Sequence, residues 1–194
     1  MKIGPAPQDA PPEVRGVLLG VTQIAERVAA LGKEISADYA GREVVLVTVL
    51  RGGLYFLSDL CRRVDDPVRL DFMAISSYGR APHVGGGVRI TKDLDEDLEG
   101  KDVLVVEDII DTGLTLNYLL GVLKARRPAS LAVAVLLDRG QRRIADVPIA
   151  YRGFEMPDIF AVGYGLDLHG RYRNLPYLGV LQDDVLKREG VPGV

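Results

Sequence analysis

Apolar and polar positions fall into blocks along this chain, and the period inside each block assigns an element. Val44–Leu50 is almost continuously apolar and rich in valine, the pattern of a strand covered on both faces. Leu131–Leu137 reads the same way, and so does Val103–Val106, where three of four residues are valine. Arg69–Ile75 fits a further strand. Ile24, Val28, Leu31 and Ile35 recur at helical spacing and face a core. Thr22 stands where it can cap that helix, after a short strand at Val17–Leu19, and Gly41 closes the unit. Two more helical runs follow strands: Leu54 to about Arg62, and Leu116–Arg127 before Pro128. Val147–Tyr151 fits an edge strand, because Pro148 has no N–H for a central ladder. Repeated strand–helix units predict an α/β fold, a mostly parallel sheet flanked by helices.

Composition narrows the picture. At 194 residues the chain fits one domain, 1–194, with a substantial core. Its 47% apolar and 26% charged residues are those of a soluble globular protein. A net charge of −3 gives no general attraction to nucleic acid or to an anionic membrane, so neither is expected as a partner. The longest strongly apolar run, Leu131–Leu137, is far short of the ~20 residues of a spanning helix. Met1–Pro12 holds four of the eleven prolines and reads as a loose tail, neither signal peptide nor anchor. Cys61 is the single cysteine, so no intrachain disulfide forms; it reads as a buried thiol in a cytoplasmic protein. With His83 and His169 as its only histidines, the chain is not expected to hold zinc.

The chemistry concentrates in Val103–Thr115, where strand, acidic residues, small-residue turn and helix follow in order. That order puts the turn at the carboxyl end of a strand, where open α/β sheets bind ligands. Thr112, Gly113 and Thr115 lack bulk, so backbone N–H groups can converge on an anion at the helix N-terminus. The two threonine hydroxyls add donors. Carboxylates beside an anion repel it unless they face something else. Glu107 and Asp108 can face sugar hydroxyls, or a Mg²⁺ that those hydroxyls also ligate, which leaves Asp111 for another part of the ligand. A ribose 5-phosphate fits this pattern. Arg51-Gly52-Gly53, after the Val44–Leu50 strand, lets backbone approach a ligand and offers a fork of donors for phosphate oxygens. The aperiodic stretch from Gly79 to Val88, with Gly85-Gly86-Gly87, is long for a loop inside a compact domain.

Val103–Thr115 closely resembles the phosphoribosyl-diphosphate signature of the type I phosphoribosyltransferases, and its Val-Glu-Asp-Ile-Ile-Asp-Thr-Gly variant resembles their hypoxanthine(-guanine) branch. Gly153–Asp167 resembles the C-terminal hood of that branch, and Arg171–Tyr177 with Leu178–Leu181 extends the match. The resemblance spans about Val17–Leu181. It implies transfer of the 5-phosphoribosyl group from phosphoribosyl diphosphate to hypoxanthine, and to guanine, in purine salvage. A small hood, mainly about 139–181, covers the purine. Ser77 and Tyr78 begin a mobile lid hairpin, and Val88–Lys92 is its return strand.

The same resemblance distributes the site. Arg51, Gly52, Ser77, Tyr78, Glu107, Asp108, Asp111, Thr112, Gly113, Leu114, Thr115 and Arg173 bind phosphoribosyl diphosphate. Arg139, Phe160, Ala161 and Val162 meet the purine, Phe160 by stacking and Arg139 at the 6-oxo group. Glu107, Asp108 and Asp167 serve Mg²⁺, and Asp111 is the catalytic base. A homo-oligomer, dimer or tetramer, is implied. Arg51 and Arg139 stand where the family usually has lysine, in a chain with eighteen arginines and six lysines. Two alternatives stay open at this point: an RNA-binding regulator on the same fold, and the same enzyme class acting on xanthine or uracil.

Overall fold

The computed structural model describes residues 1–78 and 87–191. The lid expected from Gly79 lies outside these residues, as do the side chains of Ser77 and Tyr78.

Six strands form the large sheet: β2 (Val44–Leu50), β3 (Val68–Tyr78), β4 (Gly87–Lys92), β5 (Asp102–Ile110), β6 (Ser130–Asp138) and β7 (Tyr151–Glu155). Their order is β4-β3-β2-β5-β6-β7, parallel throughout except for the antiparallel β3–β4 pair. The near-continuous apolar runs follow from burial on both faces. Leu104 and Val106 of β5 pack with Ile24, Val28, Leu31 and Ile35 of α1 (Val21–Asp38) and with Phe56, Leu57 and Leu60 of α2 (Leu54–Cys61). Val103 and Val105, one residue out of phase, meet Leu116, Leu119 and Leu123 of α3 (Leu114–Lys124) on the opposite face. Each such buried Leu or Val contributes roughly 1.5–3 kcal/mol relative to exposure, so the sheet is held from both sides.

A second, three-stranded antiparallel sheet has the order β1-β9-β8, from β1 (Val14–Leu19), β8 (Ala161–Val162) and β9 (Leu178–Leu181). It is the hood, and its first strand comes from the N-terminal end of the chain. The short helix α4 (Asp183–Arg188) follows β9.

Several sequence expectations need correction. β1 is twice the expected length. Thr22 does not cap α1: Gly20, in extended conformation, is the cap, and its N–H donates to the Gln23 side chain at 2.9 Å. The N-terminal stretch is pinned rather than loose, since Gly4 and Val17 exchange two backbone hydrogen bonds of 2.8 and 3.0 Å. The edge strand begins at Tyr151 instead of Val147. Pro148 offers no N–H, and the first bond towards β6 runs from Ala150 to the Val133 carbonyl at 3.0 Å. β7 is thus the edge of the large sheet, although it lies in the stretch expected to build the hood. α3 starts and stops earlier than its apolar pattern suggests, with Arg127 at φ 56° outside it. Cys61 is half-buried, its thiol donating to the Ser58 carbonyl.

Candidate active site

β5 does not stop at Val106. It stays paired with β6 through Glu107↔Val135, Ile109↔Leu137 and Ile110↔Asp138, so both acidic residues sit on the strand itself. Successive strand residues project to opposite faces. Glu107 lines a cavity of about 190 Å³ on the α3 side, with Val49, Asp111, Thr112, Gly113 and Thr115. Asp108 turns the other way, against the loop after β2. A Cβ on Gly52 would come 1.7 Å from Asp108 Oδ2, so this close approach requires glycine. The loop continues from a cis Leu50–Arg51 peptide, and Arg51 itself is exposed.

Electrostatics separates the two acids. Burial, then the neighbouring charge of Asp108, pushes the Glu107 carboxyl well above the ordinary range; a backbone hydrogen bond from Val49 acts weakly the other way. Its Oε1 is closed off from solvent without a hydrogen-bond partner. Burial also raises Asp108, opposed by the Ile109 N–H at 2.8 Å and by the charge of Arg173. Asp108 also senses Asp167, whose Oδ1 lies 2.6 Å from Arg173 Nη2 and whose Oδ2 accepts from Gly170 N–H. Arg173 also donates to the Gly165 carbonyl. Glu107, Asp108 and Asp167 do not close on one point: among the described residues no three candidate ligands form a metal cage. Mg²⁺ often takes only one or two carboxylates and leaves the rest to water and substrate. Half-buried Glu107, with its unpartnered Oε1, and half-buried Asp108 fit such an ion.

At the end of β5 the chain turns at Gly113, φ 79°, into α3. A Cβ there would meet the Ala145 carbonyl and Arg143 Cδ at 2.9 Å. Thr112 and Thr115 border the cavity at the helix N-terminus, where unpaired N–H groups and the helix dipole favour an anion. Leu114 points outwards, 53% exposed, so only its backbone is available to a ligand.

Asp111 lines a second cavity as well, of about 380 Å³, with Arg139, Arg142, Asp158, Phe160 and Arg15. Arg139 Nη2 donates to Asp158 Oδ1 at 2.7 Å and to the Ile159 carbonyl at 3.2 Å, while Nη1 lies 3.6 Å from Asp111 Oδ2. Arg142 reaches the same two acids, 2.7 Å from Asp158 and 3.8 Å from Asp111. Asp111 Oδ1 and Arg139 Nε are buried without partners, an acceptor and a donor left over between the cavities. Phe160 is half-buried at the wall, and Ala161 and Val162 are buried in β8.

The structure thus gathers the turn Thr112–Thr115, Asp111, Arg139 and Phe160 around adjoining cavities, and Asp108, Asp167 and Arg173 on the other side of β5. Asp158 and Arg142 escaped the sequence reading. Their importance lies in pairing across 16 and 19 positions, which no local pattern encodes.

Fold and site define an α/β protein that takes a ligand across the carboxyl ends of its strands, under a small hood. A phosphoribosyl transferase domain model matches residues 19–169. The chain is 50% identical to the hypoxanthine phosphoribosyltransferase of Salmonella typhimurium over 172 residues, 87% of this chain and 97% of that one. It is 47% identical to the hypoxanthine-guanine phosphoribosyltransferase of Mycobacterium avium over 184 residues, 92% and 91% of the two chains. A crystal structure of a Staphylococcus aureus hypoxanthine phosphoribosyltransferase superposes with a TM-score of 0.85 at 43% identity, covering 89% of this chain and 94% of that one. The chain belongs to the type I phosphoribosyltransferase family, in its hypoxanthine(-guanine) branch. Among the described residues no helix is long and apolar enough to cross a membrane.

Proposed function

We propose that this chain, as a single domain, transfers the 5-phosphoribosyl group from phosphoribosyl diphosphate to hypoxanthine and guanine, giving IMP and GMP with release of pyrophosphate. One observation carries the reading: Asp111 borders both the cavity at the α3 N-terminus and the one holding Arg139 and Phe160. A carboxylate in that position can touch sugar phosphate and base at once.

The 5-phosphate sits on the N–H groups and hydroxyls of Thr112–Thr115. Glu107 and Asp108 take the ribose hydroxyls from the two faces of β5. Phe160 stacks on the purine, the backbone of Ala161 and Val162 meets its edge, and Arg139 donates to the 6-oxo group. The anomeric carbon gains oxocarbenium character as pyrophosphate departs, and Arg51 and Arg173 stabilise the leaving charge. Asp111 accepts the N7 proton of the incoming base. Glu107 and Asp108 would serve a Mg²⁺ that the ribose hydroxyls also ligate, and Asp167 a second Mg²⁺, directly or through water; such ions would supply positive charge beside the pyrophosphate. Ser77 and Tyr78 begin the lid that keeps water from the reacting sugar.

The single cysteine suits a reducing, cytoplasmic compartment. A homo-oligomer is part of the reading; exposed Leu54 and Tyr55 on α2, and Leu114 and Tyr118 on α3, offer two separate apolar surfaces on opposite faces of the sheet.

The test is Asp111→Asn. The isostere keeps the loop's shape without the basicity, so turnover should fall about 10²–10⁴-fold while phosphoribosyl diphosphate still binds. Wild-type turnover would remove Asp111 from the role of base.

A further inference from the structure

Asp138, at the end of β6, is 5% exposed, and the reaction described above gives it no part. Its Oδ2 lies 2.7 Å from Arg152 Nε, and its Oδ1 accepts from Arg143 Nη2. Arg143 in turn donates from Nε to the backbone carbonyl of Asp111 at 3.2 Å. The segment around it grips the phosphate loop along its length. Arg139 N–H donates to the Ile110 carbonyl at 2.9 Å, and Ile144 and Ala145 N–H both donate to the Thr112 carbonyl, at 2.8 and 3.0 Å. Arg143 Cδ closes against Gly113. These contacts reach loop carbonyls or pack behind the loop, while the Asp111 carboxylate borders both cavities, beside Arg139 and Arg142. Arg143 is the residue that makes its backbone contact through a side chain.

We propose that Arg143, braced by Asp138, is a positioning residue for Asp111. The inference rests on the reading of Asp111 as acceptor of the base proton. A peptide unit is planar and stiff, so holding the Asp111 carbonyl fixes the Asp111–Thr112 peptide plane and with it the Asp111 Cα, the point from which the carboxylate reaches the cavities. Displacement of a reacting group by ~1 Å is enough to cost about 10²-fold in rate. Arginine suits the task because its planar fork serves carbonyl and carboxylate together in fixed geometry. A lysine ammonium, a rotatable point charge, holds neither partner in a fixed plane.

A double-mutant cycle separates positioning from a merely structural contribution. Arg143→Met keeps most of the apolar stem and loses both hydrogen bonds. Its kcat should fall ~10–100-fold, with KM for hypoxanthine within ~3-fold of wild type. In an Asp111→Asn background the same change should lower kcat less than ~3-fold, because no base remains to be aimed. Arg143→Lys should recover part of the loss. Unchanged kcat in Arg143→Met, or equal losses in both backgrounds, would overturn the proposal. Should Arg143→Met fail to fold, Asp138→Asn, which weakens the brace and keeps the arginine, enters the same cycle with the same expectations. Wild-type turnover in Asp111→Asn alone is a different outcome: it takes away the base itself, and both readings fall together.

Discussion

At the scale of single residues, the site keeps its acids apart by environment. Glu107 is held well above the ordinary glutamate range, first by burial and then by the charge of Asp108. The sign of the consequence follows. Between the unfolded pKa, about 4.3, and the raised folded value, the folded state binds the extra proton, so stability falls as pH rises through that window. In metal-free, ligand-free protein Glu107→Gln should therefore raise Tm at neutral pH, with the gap closing below the ordinary glutamate pKa. A gap that persists unchanged in acid would show that the charge is not what the fold resists. Arg139 offers a second test. Adenine presents an amino donor where hypoxanthine presents an acceptor, and an arginine has only donors. An unmet charged group costs at least ~1–3 kcal/mol, about ten- to a hundred-fold in specificity. Arg139→Gln can turn either an oxygen or an amide to the base, so it should narrow the ratio of kcat/KM between hypoxanthine and adenine. An unmoved ratio would mean that Arg139, already tied to Asp158 at 2.7 Å, does not read the base.

At the scale of elements, β5, its turn and α3 form the working unit, and the turn depends on Gly113. An L side chain at φ 79° costs roughly 1–2 kcal/mol from the backbone alone. The Ala145 carbonyl at 2.9 Å from the added Cβ adds a clash. Gly113→Ala should lower unfolding free energy by at least ~1 kcal/mol in urea titration. A neutral substitution would mean that the turn relaxes freely. The unit was largely legible in the sequence, because a buried strand writes itself as a valine run and a tight turn as small residues before a helix. What stayed hidden was its boundary. Glu107 and Asp108 read as loop residues, but β6 is long enough to pair with β5 beyond them. Polarity marks where a strand meets ligand, not where its ladder ends. The same limit misplaced β7 and α3, whose ends are set by the first available N–H and by Arg127, not by apolar periodicity.

At the scale of the molecule, the hood is where sequence reading was weakest. Its sheet joins β1, near one end of the chain, to β8 and β9 near the other. Antiparallel pairing across about 165 residues leaves no local pattern: Val14 faces Leu181. The cavity beside Arg139 and Phe160 inherits this closure, since Arg15 and Asp183, 3.4 Å apart, both border it. The metal belongs to the same scale. Of its expected ligands, Glu107 and Asp108 project to opposite faces of β5 and close no cage with Asp167, so Mg²⁺ should depend on the substrate for much of its coordination. Chelation with EDTA should abolish transfer without lowering the Tm of the substrate-free protein, and added Mg²⁺ should restore it. Full transfer in EDTA would remove the metal from the account.

The central claim, that this site joins a ribose 5-phosphate to a 6-oxopurine, has one direct measurement. Purified protein, Mg²⁺ and phosphoribosyl diphosphate are mixed with hypoxanthine, guanine, xanthine, adenine or uracil, and kcat/KM is read from pyrophosphate release and nucleotide formation. Hypoxanthine and guanine should be converted to IMP and GMP, with adenine at least about ten-fold poorer, as an unmet charged donor requires, and uracil poorer because its single ring offers less surface to stack on Phe160. No turnover with either 6-oxopurine, or a preference for uracil or adenine, would contradict the account.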